Sequence, residues 1–72
     1  MKHVAVESSH ISSVAHDGKE TMHVTYKGKD GKPGATYEYS GVTIEGHKKL
    51  MEAKSVGKHI RTMDVKGVRL GD

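Results

Sequence analysis

Three tyrosines, six histidines and twelve Lys/Arg side chains hold most of the chemistry available to this 72-residue chain. Tyr37 and Tyr39 stand two residues apart in the run from Ala35 to Ser40. On an extended strand, that spacing points both rings to the same face. With Tyr26 they are the only aromatic residues, since the chain has no Phe or Trp. Rings so placed can stack unpaired bases, each stack being worth roughly 1–3 kcal/mol. They can equally serve as core beneath a covering element, and a chain with no other large rings needs them there. Tyrosine accommodates both uses when its hydroxyl reaches the rim. Tyr39 is therefore kept as a candidate contact residue although the tyrosines are expected in the core.

The cations fall into two groups. A basic, glycine-rich loop from Lys27 to Gly34 carries Lys27, Lys29 and Lys32, with no apolar residue to anchor it, and is expected to be mobile. From His47 to Arg69 there are seven Lys/Arg against Glu52 and Asp64. The candidate binding residues are thus Lys27, Lys29 and Lys32 from the loop, Lys48, Lys54, Lys58, Arg61, Lys66 and Arg69 from the C-terminal third, and Tyr39. Such a set suits phosphates or an acidic protein surface, and salt dependence separates the two. A net charge of +3 is compatible with either partner.

Other chemistries find less support. Zinc needs three or four converging ligands. His10, His16 and His23 are expected on one polar sheet face, with a diagonal approach of His10 to His23, but no carboxylate completes a site. Histidines there would instead make the surface pH-sensitive. Gly28-Lys29-Asp30-Gly31 has the letters of the KH-domain clamp but is expected between strands, where a plain hairpin loop explains it. Gly41 to Gly46 has the spacing of a phosphate-binding loop, but His47 stands where lysine is required. No nucleophile elbow or paired acids can be placed, so neither an enzyme nor a cofactor is expected.

The elements that position these residues follow from periodicity and turn chemistry. Seventy-two residues without cysteine make one small domain with no disulfide or thiolate metal staple. Residues 1–8 read as a flexible arm, although Val4 and Val6 alternate and can add a short edge strand. Ser9 to Ala15 and Thr21 to Tyr26 read as strands joined at Asp17-Gly18. A two-residue turn there places Ile11 opposite Val24, Ser13 opposite Met22 and Ser9 opposite Tyr26. Ala35 to Ser40 is the third strand. Thr43 can N-cap a helix along Ile44–Lys54, and Ser55 can restart a short one from Val56 to Met63. The last residues, 64–72, read as a loose basic tail. The predicted fold is α+β: a three-stranded antiparallel meander with one helix packed on one face. Its core is Ile11, Met22, Val24, Tyr26, Tyr37, Tyr39, Val42, Ile44, Leu50, Met51, Val56 and Ile60.

These elements resemble a known family. Ser9-His10-Ile11-Ser12-Ser13-Val14, then Asp17, then Met22-His23-Val24-Thr25-Tyr26 is similar to the opening of the KTSC domain. Tyr37-Glu38-Tyr39 resembles its central Tyr-x-Tyr, and Leu50 to Gly57 resembles its helix and the closing Ala-x-Ser-x-Gly. The resemblance covers residues 9–63. It departs from the family at Val42-Thr43, where Val-Pro is usual, and at His59-Ile60, where an aromatic pair is usual. The family takes its name from a domain at the C-terminus of some lysyl-tRNA synthetases and also occurs as small stand-alone bacterial and phage proteins. The resemblance implies RNA binding.

Two functions are expected. The first is a non-enzymatic adaptor that docks on a transcription or ribonucleoprotein machine. A phage-encoded regulator of host RNA polymerase, acting on initiation or antitermination, would fit. The second is direct binding of RNA or single-stranded DNA. The N-terminus has no apolar stretch of a targeting signal, and no apolar run approaches spanning length. A cytoplasmic monomer without membrane contact is expected, in the host cytoplasm if phage-encoded.

Overall fold

Two helices lie across one face of a five-stranded antiparallel sheet in the computed structural model of the chain, which describes residues 2–6, 8, 10–63 and 65–71. The strands are β1 (His3–Ala5), β2 (Ile11–His16), β3 (Thr21–Lys27), β4 (Pro33–Ser40) and β5 (Gly67–Gly71). They neighbour one another in chain order, so β1 and β5 are the edges. Between β4 and β5 come α1 (Ile44–Glu52) and α2 (Val56–Thr62).

Local chemistry sets the helix bounds. The Thr43 hydroxyl accepts from the Gly46 N–H at 3.1 Å, and Glu45 meets the positive end of the α1 dipole. α1 stops at extended Ala53, whose N–H returns to the Leu50 carbonyl at 3.1 Å. Ser55 caps α2 in the same way as Thr43 caps α1, through the Lys58 N–H. Leu50 from α1 and Val56 and Ile60 from α2 then close over Ile11, Val14, Met22, Val24, Tyr39 and Val42. Burying one such aliphatic side chain stabilises the fold by roughly 1.5–3 kcal/mol, whereas Val4, Ile44, Val68 and Leu70 stay exposed.

The α+β class and the antiparallel sheet match the sequence expectation, but the sheet has five strands rather than three and carries two helices rather than one. The arm supplies β1, paired to β2 with Val4 opposite Val14. The expected tail supplies β5, paired to β4 with Val68 opposite Glu38. Gly67 and Gly71 suggested a loose end, but Gly67 has a steric role. A Cβ there would sit 2.7 Å from Tyr39 Cε1, because the Tyr39 ring lies over the position that a side chain would fill.

Register corrects a second expectation. The β2–β3 connection is not a two-residue turn, since β2 ends at His16 and β3 begins at Thr21. Asp17 organises the longer loop by accepting from the Lys19 and Thr21 N–H groups at 2.7 and 3.2 Å. The Lys19 bond is the main cause that holds the Asp17 carboxyl below its usual pKa. Val14 therefore lies opposite Val24 and His16 opposite Met22, an odd shift that exchanges the two faces of β2. A bulge at Ser12 restores Ile11 to the core face, opposite Tyr26. The expected pairing of Ser9 lies outside the described residues.

Three consequences follow. Val14, absent from the expected core, is fully buried. His16 belongs to the helix-bearing face and His23 to the other, so His10, His16 and His23 do not share one. Ile44, expected in the core, is 47% exposed. The basic loop is also shorter than predicted, because β3 runs through Lys27 and β4 starts at Pro33. Its turn is closed by Gly28 N–H to Lys32 O at 2.7 Å and Lys32 N–H to Asp30 Oδ1 at 3.0 Å.

Candidate functional site

Val24 pairs with Tyr37 and Met22 with Tyr39, while Tyr26 follows Val24 by two residues. Side-chain alternation therefore places all three tyrosines on the helix-bearing face. Tyr39 is the most buried, 8% exposed, and its hydroxyl lies 2.6 Å from that of Tyr26. Tyr26 and Tyr37 are half-buried and meet edge to face, with centroids 5.4 Å apart and planes at 88°. That geometry is favoured by the ring quadrupoles. Burial pushes the Tyr26 phenol pKa up, the Tyr39 hydrogen bond adds to it, and the positive charge of Arg61 opposes both.

Arg61 comes from α2 and stands beside this cluster. Two clefts include it among their lining residues. The larger, about 490 Å³, is lined by Tyr26, Tyr37, Tyr39, Ala35, Lys27 and Arg61. The smaller, about 220 Å³, lies against α2 and includes His10, Tyr26, Lys58, Ile60 and Arg61. Tyr26 and Arg61 belong to both. Among the described residues no carboxylate lines either cleft, and Lys27, Lys58 and Arg61 are the charged side chains there. Lys27 is held in place by two contacts: its backbone N–H donates to His10 O at 2.8 Å and its Nζ to Ser8 O at 2.6 Å. The arrangement offers flat apolar ring surface next to cations, which suits a ligand that is both planar and anionic.

Of the residues proposed from sequence, the fold gathers Lys27, Lys58, Arg61 and Tyr39 into these clefts. Lys29 and Lys32 lie on the neighbouring β3–β4 turn, Lys48 on α1 and Lys54 between the helices, all exposed. Lys66 precedes β5, and Arg69 lies on β5 opposite Tyr37. Sequence reasoning did not put Tyr26, Tyr37 and His10 in the binding set. The pairing of Val24 with Tyr37 would have found the first two, whereas His10 reaches the cleft from just before the β2 bulge, which no local pattern announces.

The other polar clusters are structural in character. On the uncovered face His23 Nε2 lies 3.1 Å from Glu38 Oε2, and Thr25 Oγ1 lies 2.9 Å from Thr36 Oγ1. These cross-strand pairs hold the sheet. Between β2 and α1, His16 Nδ1 accepts from the Gly18 N–H at 3.0 Å, so Nε2 carries the proton and donates to Val42 O at 2.6 Å. The His47 ring packs 4.9 Å from that of His16. Among the described residues no group of three His, Cys, Asp or Glu side chains converges as a metal centre requires, and no described helix is long and apolar enough to cross a membrane.

Comparison with known proteins adds one finding. The family model of the KTSC domain matches residues 7–64, most of the chain. No curated protein matches it.

Proposed function

The chain belongs to the KTSC domain family, and we propose that it is a non-catalytic binding module whose tyrosine–arginine cleft takes single-stranded nucleic acid, RNA in particular. The observation that carries this reading is the pair of clefts in which Tyr26 and Tyr37 stand beside Lys27, Lys58 and Arg61, with no carboxylate among the described lining residues. Single-strand binding needs those two components, a ring surface for bases and cations for the backbone. The KTSC resemblance to a domain of some lysyl-tRNA synthetases points the same way.

The test is a fluorescence titration of a labelled decanucleotide at low and moderate salt. Three phosphate contacts would give a slope of log K against log salt near −2, from about −0.7 per contact on a single strand. Arg61→Ala should weaken binding by about tenfold at low salt, since it removes a charge-assisted contact worth roughly 1.5–3 kcal/mol. Absence of binding at low salt would overturn the reading.

A second reading, docking on a larger assembly such as RNA polymerase or a ribonucleoprotein component, is favoured by a different observation. β5 is an edge strand, and its Val68 and Leu70 are 61% and 51% exposed. An exposed edge with apolar side chains is a common place for a protein partner to add a strand. Regulation of initiation or antitermination would belong to this reading. Purified RNA polymerase should then broaden the amide signals of Gly67–Gly71, and an unchanged spectrum would remove it.

A further inference from the structure

The two clefts are not separate depressions. They share Tyr26 and Arg61, while Lys27 lines only the strand-side cleft and Lys58 only the α2-side cleft. Each cleft has a flat or apolar surface and a cation of its own, Tyr37 with Lys27 in one and His10 and Ile60 with Lys58 in the other, and Arg61 is common to both. A base-sized surface in each of two clefts that share one cation is what two bases joined through one phosphate require.

We propose that the two clefts act as one site for a dinucleotide step, with the Arg61 guanidinium on the bridging phosphate and one base in each cleft. This rests on the nucleic-acid reading above and makes it specific, naming two nucleotides as the smallest ligand that fills the site. The strand-side base lies against Tyr37, whose ring is half-exposed and steadied edge-on by Tyr26. The α2-side base lies between the His10 ring and Ile60; histidine rings and guanidinium planes are established surfaces for unstacked bases. Arg61 suits the central position because its planar fork can hold two oxygens of one phosphate while its face remains available to a base. Lys27 meets the flanking phosphate of a longer strand as a point charge, whereas Lys58, in the α2-side cleft, donates to the ring nitrogens of the base held there.

The sizes of the clefts agree with this division. About 490 Å³ lies within the usual range for a ligand pocket, roughly 300–1,000 Å³, and about 220 Å³ falls below it. The smaller cleft is therefore a poor site alone and gains occupancy only through linkage to a nucleotide already bound next door, by the effective-concentration argument.

The experiment compares AMP, the dinucleotide ApA and a decaadenylate, each titrated into the intact protein and into Lys58→Ala and Tyr37→Leu. ApA carries less charge than AMP, so simple charge attraction favours AMP. The proposal expects the reverse, with ApA tighter by about tenfold, equivalent to ~1.4 kcal/mol. Lys58→Ala, on an exposed side chain of α2, should erase most of that advantage and leave AMP binding within about twofold, because it touches only the second cleft. Tyr37→Leu should weaken both ligands. If the decaadenylate binds but AMP equals or exceeds ApA, or Lys58→Ala affects both ligands alike, the two-cleft site is wrong while the nucleic-acid reading stands. If the decaadenylate does not bind at low salt, both fall.

Discussion

His47 shows at the scale of one residue how position in the fold changes chemistry. Its Nδ1 is buried with no hydrogen-bond partner among the described residues, and its ring rests 4.9 Å from His16. Burial lowers its pKa below the ordinary 6.5, and the neighbouring His16 adds to the effect. The folded protein therefore binds this proton less readily than the unfolded chain, and the sign of the linkage follows. The stabilisation is fully present above pH 6.5 and is lost progressively as pH falls from there toward the lower folded-state pKa. Urea unfolding midpoints should drop between about pH 7.5 and 5.5, and His47→Leu should flatten that drop. An equally steep fall in the variant would place the proton uptake elsewhere. Sequence could not foresee the His16–His47 contact, because it depends on the odd register shift that turns His16 toward the helices. The tyrosines were more legible, since two-residue spacing alone puts Tyr37 and Tyr39 on one face and a chain without Phe or Trp must bury rings where it can.

Among the elements, β5 is the instructive one. Its sequence, Gly67-Val-Arg-Leu-Gly71, has little strand propensity at its ends, and propensity read it as tail. What recruits it is tertiary: β4 would otherwise expose a long edge, and the Tyr39 ring needs a neighbour without a side chain. Gly67 meets that need, with its would-be Cβ 2.7 Å from Cε1 and 3.0 Å from Cζ of Tyr39. Gly67→Ala should destabilise the protein by about 1–3 kcal/mol, the usual effect of overpacking. Amide hydrogen exchange in Gly67–Gly71 should rise first. Unchanged stability and exchange in that variant would show that β5 does not dock against Tyr39. The central hairpin strands and the helix starts at Thr43 and Ser55 were legible because their signals are local, β-branched runs and capping hydroxyls, whereas the length of the Asp17-Gly18 connection and the second full helix were not. The bulge at Ser12 was not, because no residue there is distinctive and only the pairing of Ile11 with Tyr26 and Ser13 with Thr25 reveals it.

For the whole molecule, charge is arranged by the fold rather than by the sequence order. The basic C-terminal third looked like one surface, yet only Lys58 and Arg61 from it reach the clefts, joined by Lys27 from β3. Lys48 and Lys54 lie outside them, and Arg69 reaches the sheet through β5. One face of the sheet thus carries the helices, the rings and the cleft-lining cations, and the other carries a polar ladder including His23 and Glu38. Composition could report the cations but not this division, which follows from strand register and the placement of α2. The account predicts that ligand contact is confined to the helix-bearing face. The most direct measurement is a two-dimensional amide NMR spectrum recorded with and without a decaadenylate at low salt. The largest shifts should fall at Tyr26, Lys27, Tyr37, Lys58 and Arg61. Shifts centred instead on His3, His23 and Glu38, or a spectrum left unchanged by the oligonucleotide, would contradict it.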